Sequence, residues 1–346
     1  MNQSGIVQDA RLLPAKRTDH FMKNKNLDRK KVLILGGGFG GLTLVRKLKH
    51  PAASILLMDK ENNHLFQPLL YQVATGALAA PNIAQPLRTI FRARPEVKTL
   101  MAEVEDIDLK GKIVIADKRR HPYDYMVIAL GSRVNYFGND HWAQYAPGLK
   151  KLADAHQIRN QVLASFERAE NGTENEKERK RLMTCVVIGA GPTGVEMAGS
   201  LSEMFKRLFK RDFRNIDIKD SRVILIDAVD RPLPAYSESI SKKARQQLEK
   251  LGVEVLTGTE VKDIRRAEVQ LPNKTIAAET IVWTAGVSAH AITEKLDVPK
   301  AKGGRLKVEN DCGLPGHPEV FAIGNIACAV DPDGKEAPGV APAAIQ

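Results

Sequence analysis

One six-residue pattern occurs twice in this chain, as Gly36-Gly37-Gly38-Phe39-Gly40-Gly41 and as Gly189-Ala190-Gly191-Pro192-Thr193-Gly194. Each copy follows a short apolar run, Val32–Leu35 or Val186–Ile188, and opens a segment of helical character. A strand that enters a helix through G-x-G-x-x-G has three uses for its glycines. The first makes the tight turn, the second admits a pyrophosphate close to the backbone, and the third lets helix and strand pack together. The helix N-terminus adds unpaired N–H groups and a partial positive charge. One such turn carries little information. Two, in one chain, predict two bound dinucleotides with electrons passing between them.

The repetition extends beyond the glycines. In the first copy Asp59 closes the apolar run Ile55–Met58, and in the second Asp227 closes Val223–Ile226. An acidic residue at the end of the second strand is placed to bond a ribose 2′-hydroxyl. Alternating strands follow around a turn, Val104–Ile115 about Lys110-Gly111 and Val261–Ile276 about Pro272-Asn273. Each copy then ends in an apolar strand and a glycine, Met126–Gly131 and Ile281–Gly286. The predicted fold class is therefore α/β, with two Rossmann-like dinucleotide-binding domains.

Composition narrows the partners. The 346 residues give room for two domains, and 43% hydrophobic content suits globular cores. No apolar run approaches the ~18–20 residues of a spanning helix, so any membrane contact is expected to be peripheral. Residues 1–29 lack an apolar signal core and are expected to form a basic, disordered arm, which together with Lys30 and Lys31 carries about half of the net +11 charge. Neither zinc-finger spacing nor an RNA-binding aromatic motif is present, so an anionic membrane surface or plain solvation is favoured over nucleic acid. Around Leu87, Ile90 and Phe91 the basic residues Arg88, Arg92, Arg94 and Lys98 either meet lipid headgroups or, the favoured alternative, coat an ordinary amphipathic helix. Cys185, Cys312 and Cys328 form no closely spaced pair. A redox dithiol is not expected, and the absence of a secretory signal fits a reducing cytosol. The eight histidines are scattered, and no metal site is expected.

Residues 30–152 are assigned to a first nucleotide domain, 153–299 to a second, and 300–346 to a return to the first. The basic stretch Glu203–Asp220 is expected to continue the second motif's helix. Glu319–Ile323 is strand-like and leads into Gly324-Asn325.

The chain from Lys31 to Gln346 resembles the type II NADH:quinone oxidoreductases, single-subunit flavoproteins with two dinucleotide-binding domains. Besides both glycine turns, the resemblance is carried by the run Asn63–Gly76 (NHLFQPLLYQVATG), by Tyr123-Asp124-Tyr125, by Val282–Val287 (VWTAGV) and by Pro338–Pro342 (PGVAP). It implies that Gly36, Gly38, Gly41 and Asp59 hold the ADP half of FAD, with Gly131 closing that site and Asn325 near the ribityl chain. Gly189, Gly191, Gly194 and Asp227 would hold NADH, and an acidic Asp227 disfavours the 2′-phosphate of NADPH. Glu196 would take part in quinone or proton handling, and Gln346 would begin the quinone pocket. The implied activity is hydride transfer from NADH to flavin, then electron transfer to a membrane quinone without proton pumping. The implied location is cytoplasmic, peripheral on the inner face of the cell membrane, and a homodimer is compatible with it.

Two departures from the family stand out. Asn325 replaces the family's aspartate, exchanging a charged acceptor worth ~1.5–3 kcal/mol for a neutral one worth ~0.5–1.5 kcal/mol. The sequence also ends at Gln346, where the family begins a helix aimed at the flavin and, beyond it, amphipathic membrane helices. A truncated, catalytically impaired remnant is accordingly the alternative function. A sister flavoprotein such as a sulfide:quinone reductase is a second alternative, disfavoured by the lack of paired thiols. Glu196 has its own plainer alternative, a carboxylate held in the first turn of a helix by the dipole.

Overall fold

The computed structural model describes residues 29–172, 175–331 and 333–346. The arm expected over residues 1–29 lies, apart from Arg29, outside the described residues. Two parallel sheets organise the rest. The first has six strands in the order Gly313–Leu314, His317–Ala322, Tyr125–Ile128, Lys30–Leu35, Ala53–Asp59 and Val97–Met101. All neighbours are parallel except the hairpin formed by the first two. The second sheet has four parallel strands in the order Val253–Leu256, Arg222–Ile226, Thr184–Ile188 and Thr280–Trp283.

The apolar runs explain these sheets. Strands covered on both faces, here by helices on one and a three-stranded meander on the other, need continuous rather than alternating hydrophobicity. Ile34, Leu35, Val186 and Val187 are all fully buried. In both sheets the glycine-motif strand is flanked on one side by the acidic strand and on the other by the closing strand. Val32 stands level with Ile55 and Tyr125, and Val186 with Ile224 and Ile281. Such a reversal of strand order opens a crevice at the carboxyl ends, where dinucleotides bind. The expected alternating strands are present, and each set is a three-stranded meander: Val104–Asp108, Ile113–Ala116 and Arg119–Pro122, then Asp263–Arg265, Glu268–Gln270 and Thr275–Ala277.

Two sequence expectations are corrected. The helix of the second motif, Pro192–Met204, does not continue through Asp220. It widens into a π turn over Phe205–Phe209 and ends after the short turn Lys210–Asp212. Aromatic packing accounts for the change, because the Phe205 and Phe209 rings each meet Phe166 in a tilted contact with centroids 4.6 Å apart. The stretch around Arg88 is only one helical turn, Leu87–Ile90, with Leu87 and Phe91 buried in the core. Arg94 is occupied there: it donates to the carbonyls of Val45 and Leu48 at the end of helix Phe39–Lys47 and pairs with Glu96. This is a helix C-cap, and not a free lipid contact.

The halves meet at several places, two of which bear on the site. Immediately beyond the closing glycines, Ser132–Val134 pairs antiparallel with Val287–Ala289. The helix Leu70–Ala74 also packs on helices Leu152–Glu170 and Pro192–Met204. Its Leu70, Val73 and Ala74 belong to the same core as Ile158, Val187 and Met197.

Candidate functional site

The two glycine turns are built alike. Gly36 and Gly189 have φ of +105° and +106°, which a side chain rarely tolerates. A methyl group on Gly41 would strike the carbonyl of Gly36, and one on Gly194 would strike the carbonyl of Gly189. Those contacts set how closely each helix approaches its strand. At Gly38 and Gly191, by contrast, nothing lies within 4 Å of the place a Cβ would occupy. Both helices begin without an acidic residue in the first turn and without a side-chain cap, which leaves N–H groups free at the mouth of each turn. An open space lined by free amide donors fits a pyrophosphate.

The acidic residues repeat the same design. Asp59 accepts from the N–H of Gly37 and from that of Glu61, each at 2.7 Å. Asp227 accepts from the N–H of Ala190 and, at 2.9 Å, from that of Val229. Each carboxylate braces its turn through two backbone donors. Each oxygen still has a lone pair for a ribose hydroxyl.

Further groups line the first turn. His64 bonds through Nδ1 to the carbonyl of Gly37 at 3.0 Å, and the Phe39 ring meets the rings of His64 and Phe66 edge-on. Burial lowers the His64 pKa and outweighs the raising effect of its bond to Gly37, which favours the neutral ring. Gly131 has φ +69° with open space where a Cβ would be, and its carbonyl accepts from the N–H of His290 at 3.2 Å. Beside it, Lys150 Nζ donates to the Ser132 hydroxyl at 3.1 Å. Burial lowers the Lys150 pKa, and no carboxylate pairs with it among the described residues. Nothing in the sequence pattern marks Lys150, which becomes visible only when Gly131 and Ser132 are seen beside it.

The tail also reaches the first turn. Gly324 has φ +73°, and the helix Ala341–Ile345 lies against Gly40 and Gly324 through Ala344. The half-buried Asn325 carboxamide lies beside Gly339 and makes no side-chain hydrogen bond among the described residues. Its oxygen is therefore available to an incoming hydroxyl. Gln346 is exposed, and among the described residues it bonds only through its backbone N–H, to the Pro342 carbonyl.

Glu196 is the fifth residue of its helix, one turn before Ser200. The two share a helix face. The hydroxyls of Ser200 and Thr75 lie 2.9 Å apart, and Thr75 donates to the Tyr71 carbonyl, which leaves Ser200 as the donor to Thr75. Gln72 donates to the Tyr71 hydroxyl at 3.0 Å. Glu196 thus shares its helix face with the contact to the Asn63–Gly76 segment. The helix dipole does not explain this residue, because no acid lies in the first turn, where the effect is concentrated. Its outer edge meets solvent, yet packing on the inner side desolvates the carboxyl and raises its pKa. No hydrogen bond or ion pair of this carboxyl forms among the described residues.

Two cradles of one design, joined just past their closing strands, define a protein that holds two dinucleotides. Known proteins agree. The model of the pyridine nucleotide-disulphide oxidoreductase family matches residues 30–346. Over 331 residues the chain is 40% identical to the type II NADH:quinone oxidoreductase Ndh of Mycobacterium tuberculosis, covering 92% of this chain and 70% of that protein. It is 30% identical to the type II NADH:quinone oxidoreductase of Staphylococcus haemolyticus, covering 90% and 77% respectively. A solved structure of NDH2 from Plasmodium falciparum in complex with NADH superposes with a TM-score of 0.81 at 24% identity, over 87% of this chain and 65% of that one. The chain belongs to the pyridine nucleotide-disulphide oxidoreductase family, among its type II NADH:quinone oxidoreductases.

Proposed function

We infer that this chain is an FAD-dependent oxidoreductase that draws hydride from NADH and delivers electrons to a quinone. The observation that carries this reading is the duplicated cradle with open space at Gly38 and at Gly191. The names of the relatives supply the substrates. In this reading Gly36, Gly38, Gly41, Asp59, Gly131 and Asn325 hold FAD, in a domain made of residues 30–152 and 300–346. Gly189, Gly191, Gly194 and Asp227 hold NADH within residues 153–299.

When bound, the flavin supplies two-electron chemistry, between a hydride donor and a quinone that also needs two protons. The chain's own residues bind, orient and manage protons. Both helix N-termini would receive the pyrophosphates, and the two aspartates, which fix the turns, would accept from ribose hydroxyls. Lys150 places an unpaired positive charge beside Gly131, where it offsets phosphate charge. Glu196, whose carboxyl is made easier to protonate by burial, is suited to passing a proton. Gln346 stands at the entrance of the quinone site.

No described helix is long and apolar enough to cross a membrane. Peripheral attachment to an anionic membrane on its inner face, and pairing into a homodimer, complete the proposal. Purified protein tests it: near-stoichiometric bound FAD and NADH-driven reduction of a soluble quinone are expected. A colourless protein that binds NADH without turnover would overturn it.

A further inference from the structure

Phe137 stands out among the aromatic residues. It is 63% exposed, with a left-handed backbone at φ +53°. Gly138 follows at φ +88°, and the Asn139 N–H donates to the Tyr136 carbonyl at 3.1 Å. This is a tight turn with both central residues at positive φ, where Asn, Asp or Gly is the usual occupant. Phenylalanine at such a position is a genuine outlier, held only when its surroundings impose it.

The surroundings do so. The Phe137 N–H donates to the Asn135 side chain at 2.8 Å. Asn135 is itself tied to the second domain: its N–H donates to the Gly286 carbonyl at 3.1 Å, and its carbonyl accepts from Trp283 Nε1 at 2.9 Å. Tyr136 is buried against Trp283, and its hydroxyl donates to the Ala146 carbonyl. The turn is pinned from both sides, and the Phe137 ring is left outside the core.

The ring lies on Gly286. Its Cζ is 2.6 Å from the place a Cβ on that glycine would occupy. Gly286 is the closing glycine of the second domain, and its counterpart Gly131 has nothing within 4 Å of the same place. The internal repeat is therefore broken at one point: an aromatic ring from the first domain fills a space in the second cradle that stays open in the first. The ring's location also selects one half of a ligand. Asp227 ends the strand on one side of Thr184–Ile188, while Thr284–Gly286 extends the strand on the other side. Thr284 bonds to the carbonyls of Ile188 and Gly189, which fixes this end beside the cradle. A dinucleotide with its adenosine ribose on Asp227 lays its other half toward Gly286.

We propose that Phe137 is the aromatic wall that receives the nicotinamide half of NADH in the second cradle, a role that rests on NADH binding as proposed above. The tip of the ring abuts Gly286, the Trp283 ring lies tilted beside it with centroids 6.3 Å apart, and its exposed surface is free to pack on a planar base. Gly286 is required because any side chain there would displace the ring.

Calorimetric binding to the flavin-loaded full chain separates the possibilities. NAD⁺ carries both halves of the dinucleotide, and ADP-ribose lacks the nicotinamide. Phe137→Ala is expected to weaken NAD⁺ by about ten-fold while leaving ADP-ribose, FAD content and melting temperature as in the wild type. Phe137→Tyr should restore NAD⁺ affinity, and Phe137→Gly, which removes the backbone strain, should behave like Phe137→Ala. Equal losses for both ligands, or no loss for NAD⁺, would overturn the assignment while leaving the NADH site intact. Wild-type protein that binds neither ligand would overturn the NADH site, and this wall with it.

Discussion

Glycines of one motif serve different ends, and substitution separates them. Gly38 and Gly191 face open space, so a methyl there leaves the fold intact and intrudes on the ligand. Gly38→Ala is expected to melt like the wild-type apoprotein while losing FAD, measured by visible absorbance. Gly191→Ala should stay yellow and bind NADH at least about ten-fold more weakly, a loss of 1.4 kcal/mol. Gly194→Ala acts on packing, because its methyl meets the Gly189 carbonyl. Overpacking of about 1–3 kcal/mol should lower its melting temperature whether or not ligand is present. Glu196 adds a pH dependence. Burial raises its pKa, so the folded state holds its proton at pH values where the unfolded chain has already released it. Stability therefore falls as pH rises from the unfolded pKa through the folded one. Glu196→Gln removes that loss. Its melting temperature should exceed that of the wild type at pH 8 and match it at pH 4. Stopped-flow traces should also show quinone reduction slowed and reduction by NADH unchanged.

At the scale of elements, the joints between the halves matter most. The Thr75–Ser200 bond fastens the Asn63–Gly76 segment to the helix that carries Glu196, and Thr75 is almost fully buried. Thr75→Val keeps the shape and removes the hydroxyl. It should cost about 0.5–1.5 kcal/mol, the net worth of a hydrogen bond to the half-buried Ser200, and calorimetric melting checks this. Much of this level was legible in the sequence. Continuous apolar runs ending in glycine or aspartate mark the central strands, because parallel strands buried on both faces leave a one-dimensional trace. The ribbon of Ser132–Val134 with Val287–Ala289 left none. Its strands are three residues long and far apart in the chain, so their pairing is decided by how the domains dock. The π turn at Phe205–Phe209 was hidden because the ring that shapes it, Phe166, comes from a distant helix. Lys150 and Phe137 escaped notice for the same reason. Each acquires its surroundings from the other half of the fold, or from a backbone conformation its residue type does not advertise.

Across the whole molecule, a repeated unit has been used for two tasks. Strand order, bracing aspartate, free helix N-terminus and closing glycine recur in both halves. The ribbon starts directly beyond Gly131 and Gly286, which ties together the closing ends of the two sheets. Besides the two extra strands of the first sheet, the halves differ in what fills the cradles' edges: His64 and Lys150 at the first, Phe137 at the second. An electron path needs two nucleotides brought to one meeting place, and the docking of the halves supplies the frame for it. Anaerobic titration of the purified yellow protein with NADH tests this most directly. One equivalent is predicted to bleach the oxidised flavin band completely. A flavin that stays oxidised under excess NADH, with NADH demonstrably bound, would contradict the account.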